Sequence, residues 1–197
     1  DLTVTERKFS ERKRNSFSWN VSTRYRFNDK LSMIYSFAVQ YNKDDVGFVG
    51  RSNDSIYFGI RNLNTYTNTI DAAYIFTNKM SLKLAGRHYW SQARYSSYQY
   101  LHTDGHLSEA NYPVNRNVNF NSFNVFTSFV WQFKPGSEMS VVYQNSIYSS
   151  PADPAFVNNY FTDLQHTFQA PQSNSLSVKV IYYLDYLSLK SAFRNKG

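Results

Sequence analysis

Residues 17 to 41 alternate apolar and polar side chains twice over, with one polar turn between the two runs. Phe17, Trp19, Val21, Thr23, Tyr25 and Phe27 share one parity, and Ser16, Ser18, Asn20, Ser22, Arg24 and Arg26 share the other. After Asn28-Asp29-Lys30 the pattern resumes as Leu31, Met33, Tyr35, Phe37, Val39 and Tyr41. A period of two puts one row on each face of a β-strand, and runs of about eleven residues match what a tilted strand needs to cross a bilayer. The pattern therefore predicts an all-β chain, an antiparallel transmembrane β-barrel in which one row meets lipid and the other a polar lumen.

Composition favours strands over helices as the membrane element. Mean hydropathy is -0.54, and no run approaches about eighteen apolar residues. Aromatic residues make up 18%, with 17 Tyr and 16 Phe, and interfacial girdles are one place such side chains go. A secreted, aromatic-rich β-sandwich is the competing reading. The absence of cysteine removes disulfides, thiolate catalysis and cysteine-ligated metal. The chain opens at Asp1 with no charged or apolar leader, which reads as a mature product or a fragment. A net charge of +7 suggests an anionic neighbour, such as lipopolysaccharide phosphate, nucleic acid or an acidic glycan.

Strands are expected at about 17–27, 31–41, 54–76, 80–100, 117–133, 139–148 and 175–189. Tight turns at 28–30, 77–79 and 134–138 then alternate with long connections at about 42–53, 101–116 and 149–174, the asymmetry of bacterial barrels with short periplasmic turns and long extracellular loops. That asymmetry predicts a bacterial outer-membrane protein with its carboxyl terminus in the periplasm. Phe27, Phe76, Trp131, Phe133 and Tyr186 fall in the inner aromatic girdle, and Trp19, Tyr41 and Trp90 near the outer one. Residues 1 to 9 read as the end of an earlier strand, so the chain supplies the carboxyl-terminal seven to eight strands of a larger barrel, or eight that close alone.

Asn119-Phe120-Asn121-Ser122-Phe123-Asn124-Val125, the turn Pro135-Gly136-Ser137-Glu138 and the stretch from Ala170 through Val180 resemble the carboxyl-terminal barrel region of an uncharacterised Bacteroidota outer-membrane family. Asn78-Lys79-Met80 followed by Arg87-His88-Tyr89-Trp90-Ser91 is similar to its middle strands. The resemblance implies an amino-terminal domain similar to family-9 carbohydrate-binding modules ahead of the barrel. It brings glycan only by analogy and no catalytic residues.

Arg7, Lys8, Arg12, Lys13 and Arg14 form a basic run near the outer surface, read either as a clamp on lipopolysaccharide phosphates or as a solvated loop. Basic residues among aromatics also suit single-stranded nucleic acid, but the aromatics lie on the row opposite the strand arginines, and nucleic acid is not expected as a partner. Arg24, Arg26, Arg61, Asp71, Lys83, Arg87, Lys179 and Asp185 fall on the lumen row, where charges either pair to stiffen the wall or line a passage favouring anions. In the last connection Phe156, Tyr160, Phe161, Leu164 and Phe168 suggest a short helix with an apolar face to bury, as a plug, against the rim or on a partner.

His106-Leu107-Ser108 has the His-x-Ser spacing of outer-membrane phospholipases, but a serine nucleophile needs an oriented base, and chance spacing is the simpler reading. Asp44, Asp45, Asp104 and Glu109 are too scattered for calcium's six to eight oxygens. His88 reads as interfacial. No metal or cofactor is expected. The function expected is a non-enzymatic outer-membrane anchor or platform, contacting lipid and lipopolysaccharide and joining other outer-membrane proteins for glycan uptake, secretion or assembly. A solute-conducting pore is the alternative, and a hydrolase the distant one.

Overall fold

The computed structural model describes residues 1–11, 13–52, 55–150 and 160–184. These form β1 (Leu2–Lys8), β2 (Asn15–Arg26), β3 (Leu31–Ser52), β4 (Ser55–Thr77), β5 (Met80–Leu101), β6 (Leu107–Ala110), β7 (Val118–Lys134), β8 (Ser137–Ser149), α1 (Tyr160–Gln169) and β9 (Gln172–Ile181). Every strand joins one antiparallel sheet in the order β1-β2-β3-β4-β5-β7-β8-β9, with the short β6 paired to β5. The sheet is open, with β1 and β9 at its edges.

The tight turns follow from their sequences. Asn28 Oδ1 accepts from the backbone N–H groups of Lys30 and Leu31, both at 2.8 Å, so the side chain itself closes the β2–β3 reversal. Thr77 Oγ1 accepts from Lys79 N at 3.2 Å between β4 and β5. Gly136 takes φ 72 between β7 and β8, a left-handed conformation that costs glycine little.

The register lines the alternating residues into rows. Tyr25, Met33, Ala72, Leu84, Thr127, Tyr143 and Leu176 run across one face, which is apolar. Arg24, Ile34, Asp71, Ala85, Phe126, Gln144 and Ser175 run across the other, which carries the sheet's charges among polar and apolar side chains. A single layer buries little: among the described residues the buried hydrophobic side chains are Val39, Trp90, Ala93 and Ile147.

The long connections differ from expectation. Residues 42 to 52 are not a loop, because β3 continues through Ser52 and pairs with β4 from Ser55. Register shifts at Asn42/Asp45 and Phe48/Gly50, with Asp44 at φ 53, switch the parity there and hide the strand from a strict alternation count. Within 101 to 116, β6 folds back on β5. In the last connection β9 begins at Gln172 rather than 175, and α1 sets a mixed face on the sheet, with Tyr160 against Tyr66 and Trp90 and Phe168 against Phe123. It buries Asp163 and Thr167 and leaves Phe161 75% and Phe168 47% exposed. Arg12, Phe156, Asp185 and Tyr186 lie outside the described residues.

Candidate functional site: a helix-capped cluster and a tyrosine–arginine platform

Going up the apolar face away from the tight turns, the rows become polar at Asn68, His88, Gln92, Asn119, Asn121 and Asn145, and α1 lies over this patch. The sequence puts polar groups on both partners, which explains why Asp163 and Thr167 are buried in the contact. Asp163 Oδ2 accepts from Trp90 Nε1 at 2.8 Å and from Asn119 Nδ2 at 2.9 Å. Asn119 Oδ1 in turn accepts from Asn121 Nδ2 at 3.1 Å. Thr167 Oγ1 donates back to the Asp163 carbonyl at 2.8 Å, as a threonine inside a helix can. Trp90, expected in the outer girdle, is therefore covered rather than exposed, and so is His88.

A directed chain of hydrogen bonds runs under the start of α1. The Tyr35 hydroxyl donates to Asn68 Oδ1 at 2.7 Å, and Asn68 Nδ2 donates to the Tyr160 oxygen at 2.7 Å. The Tyr160 hydroxyl also lies 2.9 Å from His88 Nδ1, with the donor set by the imidazole tautomer. Burial raises the Tyr160 phenol above its ordinary value. His88 Nε2 is buried and has no partner among the described residues.

The remaining girdle residues collect at the two ends of the apolar face. Tyr41 and Tyr66 share a hydroxyl contact at 2.9 Å, and Trp19 meets Phe37 edge-on at 5.2 Å. At the tight-turn end Phe76 packs against Tyr74 and Phe129, Trp131 against Phe133, and Phe133 against Tyr182. Tyr25 stacks with Phe27 there.

The polar face carries the described lumen-row charges. Arg24, Asp71, Lys83, Arg87 and Lys179 are exposed and make no ion pair among the described residues, whereas Arg26 pairs with Asp29 and Arg61 with Asp45. The basic amino-terminal run divides. Arg14 is bound to Asp45 at 3.1 Å and lies over the Phe9 ring, Lys8 pairs with Glu6 at 3.2 Å, and Arg7 and Lys13 are exposed.

Higher on this face is a cluster that sequence reasoning missed. Arg61 Nε donates to Asp45 Oδ2 at 3.1 Å, and its Nη1 donates to the Tyr95 hydroxyl at 3.0 Å. Tyr95 stacks on Tyr98, Tyr98 packs on Tyr112, and Tyr112 packs on Tyr57, with centroids 5.7, 5.3 and 5.0 Å apart. Arg116 Nη2 donates to the Tyr112 hydroxyl at 2.9 Å. Two glycines let this layer lie flat. A Cβ on Gly59 would sit 2.3 Å from Tyr95 Cδ1, and one on Gly47 would sit 2.5 Å from Arg61 Cζ. The register shift between Ile60 and Arg61 brings Tyr95, Tyr98 and Tyr100 to one side, so only an allowance for an extra residue near Ser96 could have grouped them from sequence. The arrangement offers aromatic faces and guanidinium donors to a ligand, and no proton-transfer pair.

Ser108 meets a histidine, but not the one the spacing suggested. Its Oγ lies 2.7 Å from His102 Nε2, while His106 donates its backbone N–H to Asp104. That bond pulls the Asp104 carboxyl below its ordinary value. No carboxylate hydrogen-bonds the His102 ring among the described residues, so the pair lacks the third group that orients a catalytic base. No group of three or more metal-ligating side chains is found among the described residues.

A family model described as "Domain of unknown function (DUF5916)" matches residues 1–193. No curated protein and no solved structure matches the chain.

Proposed function

The chain belongs to the family of that domain of unknown function, and we propose that it forms part of the wall of an outer-membrane β-barrel and acts as a non-enzymatic platform. One observation carries the reading: a mainly apolar band across one face of the sheet, opposite the face that carries the charges and bounded at both ends by aromatic side chains. Its β7 row from Phe123 to Phe133 spans about 33 Å along the strand, or about 25 Å across a membrane at a tilt of about 40°. Leu176, Val178 and Val180 on β9 and Leu2 and Val4 on β1 are well exposed, as side chains facing lipid are. Backbone groups on both edge strands must be paired in hydrocarbon, so further strands close the barrel at β1 and β9.

The platform surface is the long-loop end. Arg7 and Lys13 suit lipopolysaccharide phosphates there, and on α1 Phe161 is 75% exposed while Phe168 rests one edge of its ring on Phe123 and stays half-exposed. By family analogy a carbohydrate-binding-like domain stands before the barrel, and the lineage is Bacteroidota. After mild detergent extraction, partner proteins should co-purify and be lost when Phe161 and Phe168 are replaced by serine. A clean monomer in both cases would contradict the platform.

A conducting pore is the second reading, favoured by the ion-pair-free charges of the polar face. Arg24, Lys83, Arg87 and Lys179 outnumber Asp71 there, which suits anionic solutes.

A further inference from the structure

The face that carries the charges also carries a hollow of about 310 Å³, at the small end of ligand pockets, which run from about 300 to 1,000 Å³. The register explains it. Two neighbouring rows pass through the hollow across β4, β5, β7 and β8: Thr69–Arg87–Asn124–Ser146 and Asp71–Ala85–Phe126–Gln144. Ala85 is the floor, because its methyl stands among longer side chains on the same face. Phe126 is its cross-strand neighbour, 39% exposed and without a ring contact among the described residues.

Elsewhere on this face polar side chains bond to one another. Ser22 meets Ser36 at 2.8 Å, Thr65 meets Ser91 at 3.3 Å, and Gln40 donates to Asn42 at 3.3 Å. Around the hollow they do not. The side chains of Thr69, Asp71, Asn124, Gln144 and Ser146 make no hydrogen bond or ion pair among the described residues, and Arg87 lies only over the Tyr89 ring. Asp71 and Arg87 even occupy diagonal positions on paired strands, about 7–8 Å apart, where long side chains can meet, yet they form no ion pair.

A ligand matched to this ring must meet several demands at once. The Asp71 carboxylate only accepts and the Arg87 guanidinium only donates, while hydroxyls and carboxamides do both. Sugar hydroxyls also do both, so one polyhydroxylated molecule can satisfy the whole ring. The face of the Phe126 ring is electron-rich and attracts slightly positive C–H bonds. An inorganic anion would be repelled by Asp71, and an amino-acid zwitterion would engage the two charges but leave the neutral groups unused.

We propose that this hollow binds one pyranose unit of a saccharide, its hydroxyls donating to Asp71 and accepting from Arg87, Asn124 and Gln144, and its C–H face resting on Phe126. The inference rests on this face being turned away from lipid, whether or not the lumen conducts.

The test uses the full protein purified from the outer-membrane fraction in lauryldimethylamine oxide, a detergent without a sugar headgroup, and calorimetric titration with maltotriose, cellotriose, chitotriose and trigalacturonate. At least one should bind saturably. Asp71→Ala and Phe126→Ala should each weaken that sugar about tenfold or more, and Ala85→Tyr, which fills the floor, should abolish its binding. Wild-type protein that binds none of these sugars, or binding untouched by all three substitutions, would overturn the proposal. Displacement of the sugar by an equal concentration of glycylglycine would overturn it too, by assigning the hollow to a zwitterion. A nitroxide at Ser140→Cys, on the same face, reads the orientation separately. Shielding of that label from a water-soluble nickel chelate in vesicles would overturn the orientation and the site together, whereas sugar binding absent from a protein whose label the chelate reaches would overturn the site alone.

Discussion

Trp90 and Asp163 lie 73 residues apart and meet in a buried hydrogen bond of 2.8 Å, the contact that fixes α1 to the sheet. Both side chains are 4% exposed, and Asn119 shares the same carboxylate oxygen. A helix that buries a carboxylate needs such partners for it.

Asp163→Ala should therefore release α1. It leaves the Trp90 and Asn119 donors unpaired, at about 1–3 kcal/mol each. Proteolytic cleavage within residues 160–169 should accelerate at least about thirtyfold, following a shift of about 2 kcal/mol in the docking equilibrium. Asp163→Asn keeps an acceptor oxygen but loses the charge, and should fall between the two.

Gly59→Ala should destabilise the tyrosine–arginine platform, by about 1–3 kcal/mol for an overpacked contact. The intruding carbon meets the Tyr95 ring at 2.3 Å. Tyr95→Ala in the same chain should recover most of that loss in thermal unfolding, since the two changes act on one contact. Additive losses would mean that the glycine serves something other than clearance.

If the polar face lines a conducting lumen, Lys83→Glu with Arg87→Glu should shift planar-bilayer currents from anion towards cation preference. The side chains share one face, on either side of the Asp71/Ala85 row, and make no ion pair among the described residues, so reversal of their charge breaks no ion pair there.

Ser108→Ala should leave any lipase activity of a purified preparation unchanged. The Ser108–His102 contact has nucleophile–base length, but among the described residues no carboxylate hydrogen-bonds the imidazole to orient it for proton transfer. A rate that vanished with the hydroxyl would reopen the hydrolase reading.

The strands beside tight turns were legible because each turn is local chemistry, as at Asn28, and because alternation persists without interruption from Leu31 to Tyr41 and from Met80 to Trp90. The all-β, antiparallel character follows from that alone. Legibility ended where bulges enter. Past Asn42 and again near Ser96 one extra residue changes the parity, and with it vanish the upper part of β3 and the tyrosine platform. The seating of α1 is legible only in part. Of its apolar side chains Tyr160 and Phe168 do meet the sheet, at Tyr66, Trp90 and Phe123, while Phe161 stays outside. The burial of Asp163 and Thr167 has no apolar signal in the sequence, because the surface beneath also carries the polar groups of Asn68, His88, Trp90 and Asn119. The same pattern placed Trp90 in a girdle, since nothing local to β5 signals a cover arriving from residues 160–169.

The central claim is that the apolar face meets lipid and the opposite face does not. The chain contains no cysteine, so Val141→Cys and Ser140→Cys each give one spin-labelling site, on opposite faces of β8. In vesicles, electron paramagnetic resonance should find the label at 141 relaxed by dissolved oxygen and shielded from a water-soluble nickel chelate, with the label at 140 showing less oxygen exposure. A label at 141 that the nickel chelate reaches as readily as it reaches 140 would contradict the account.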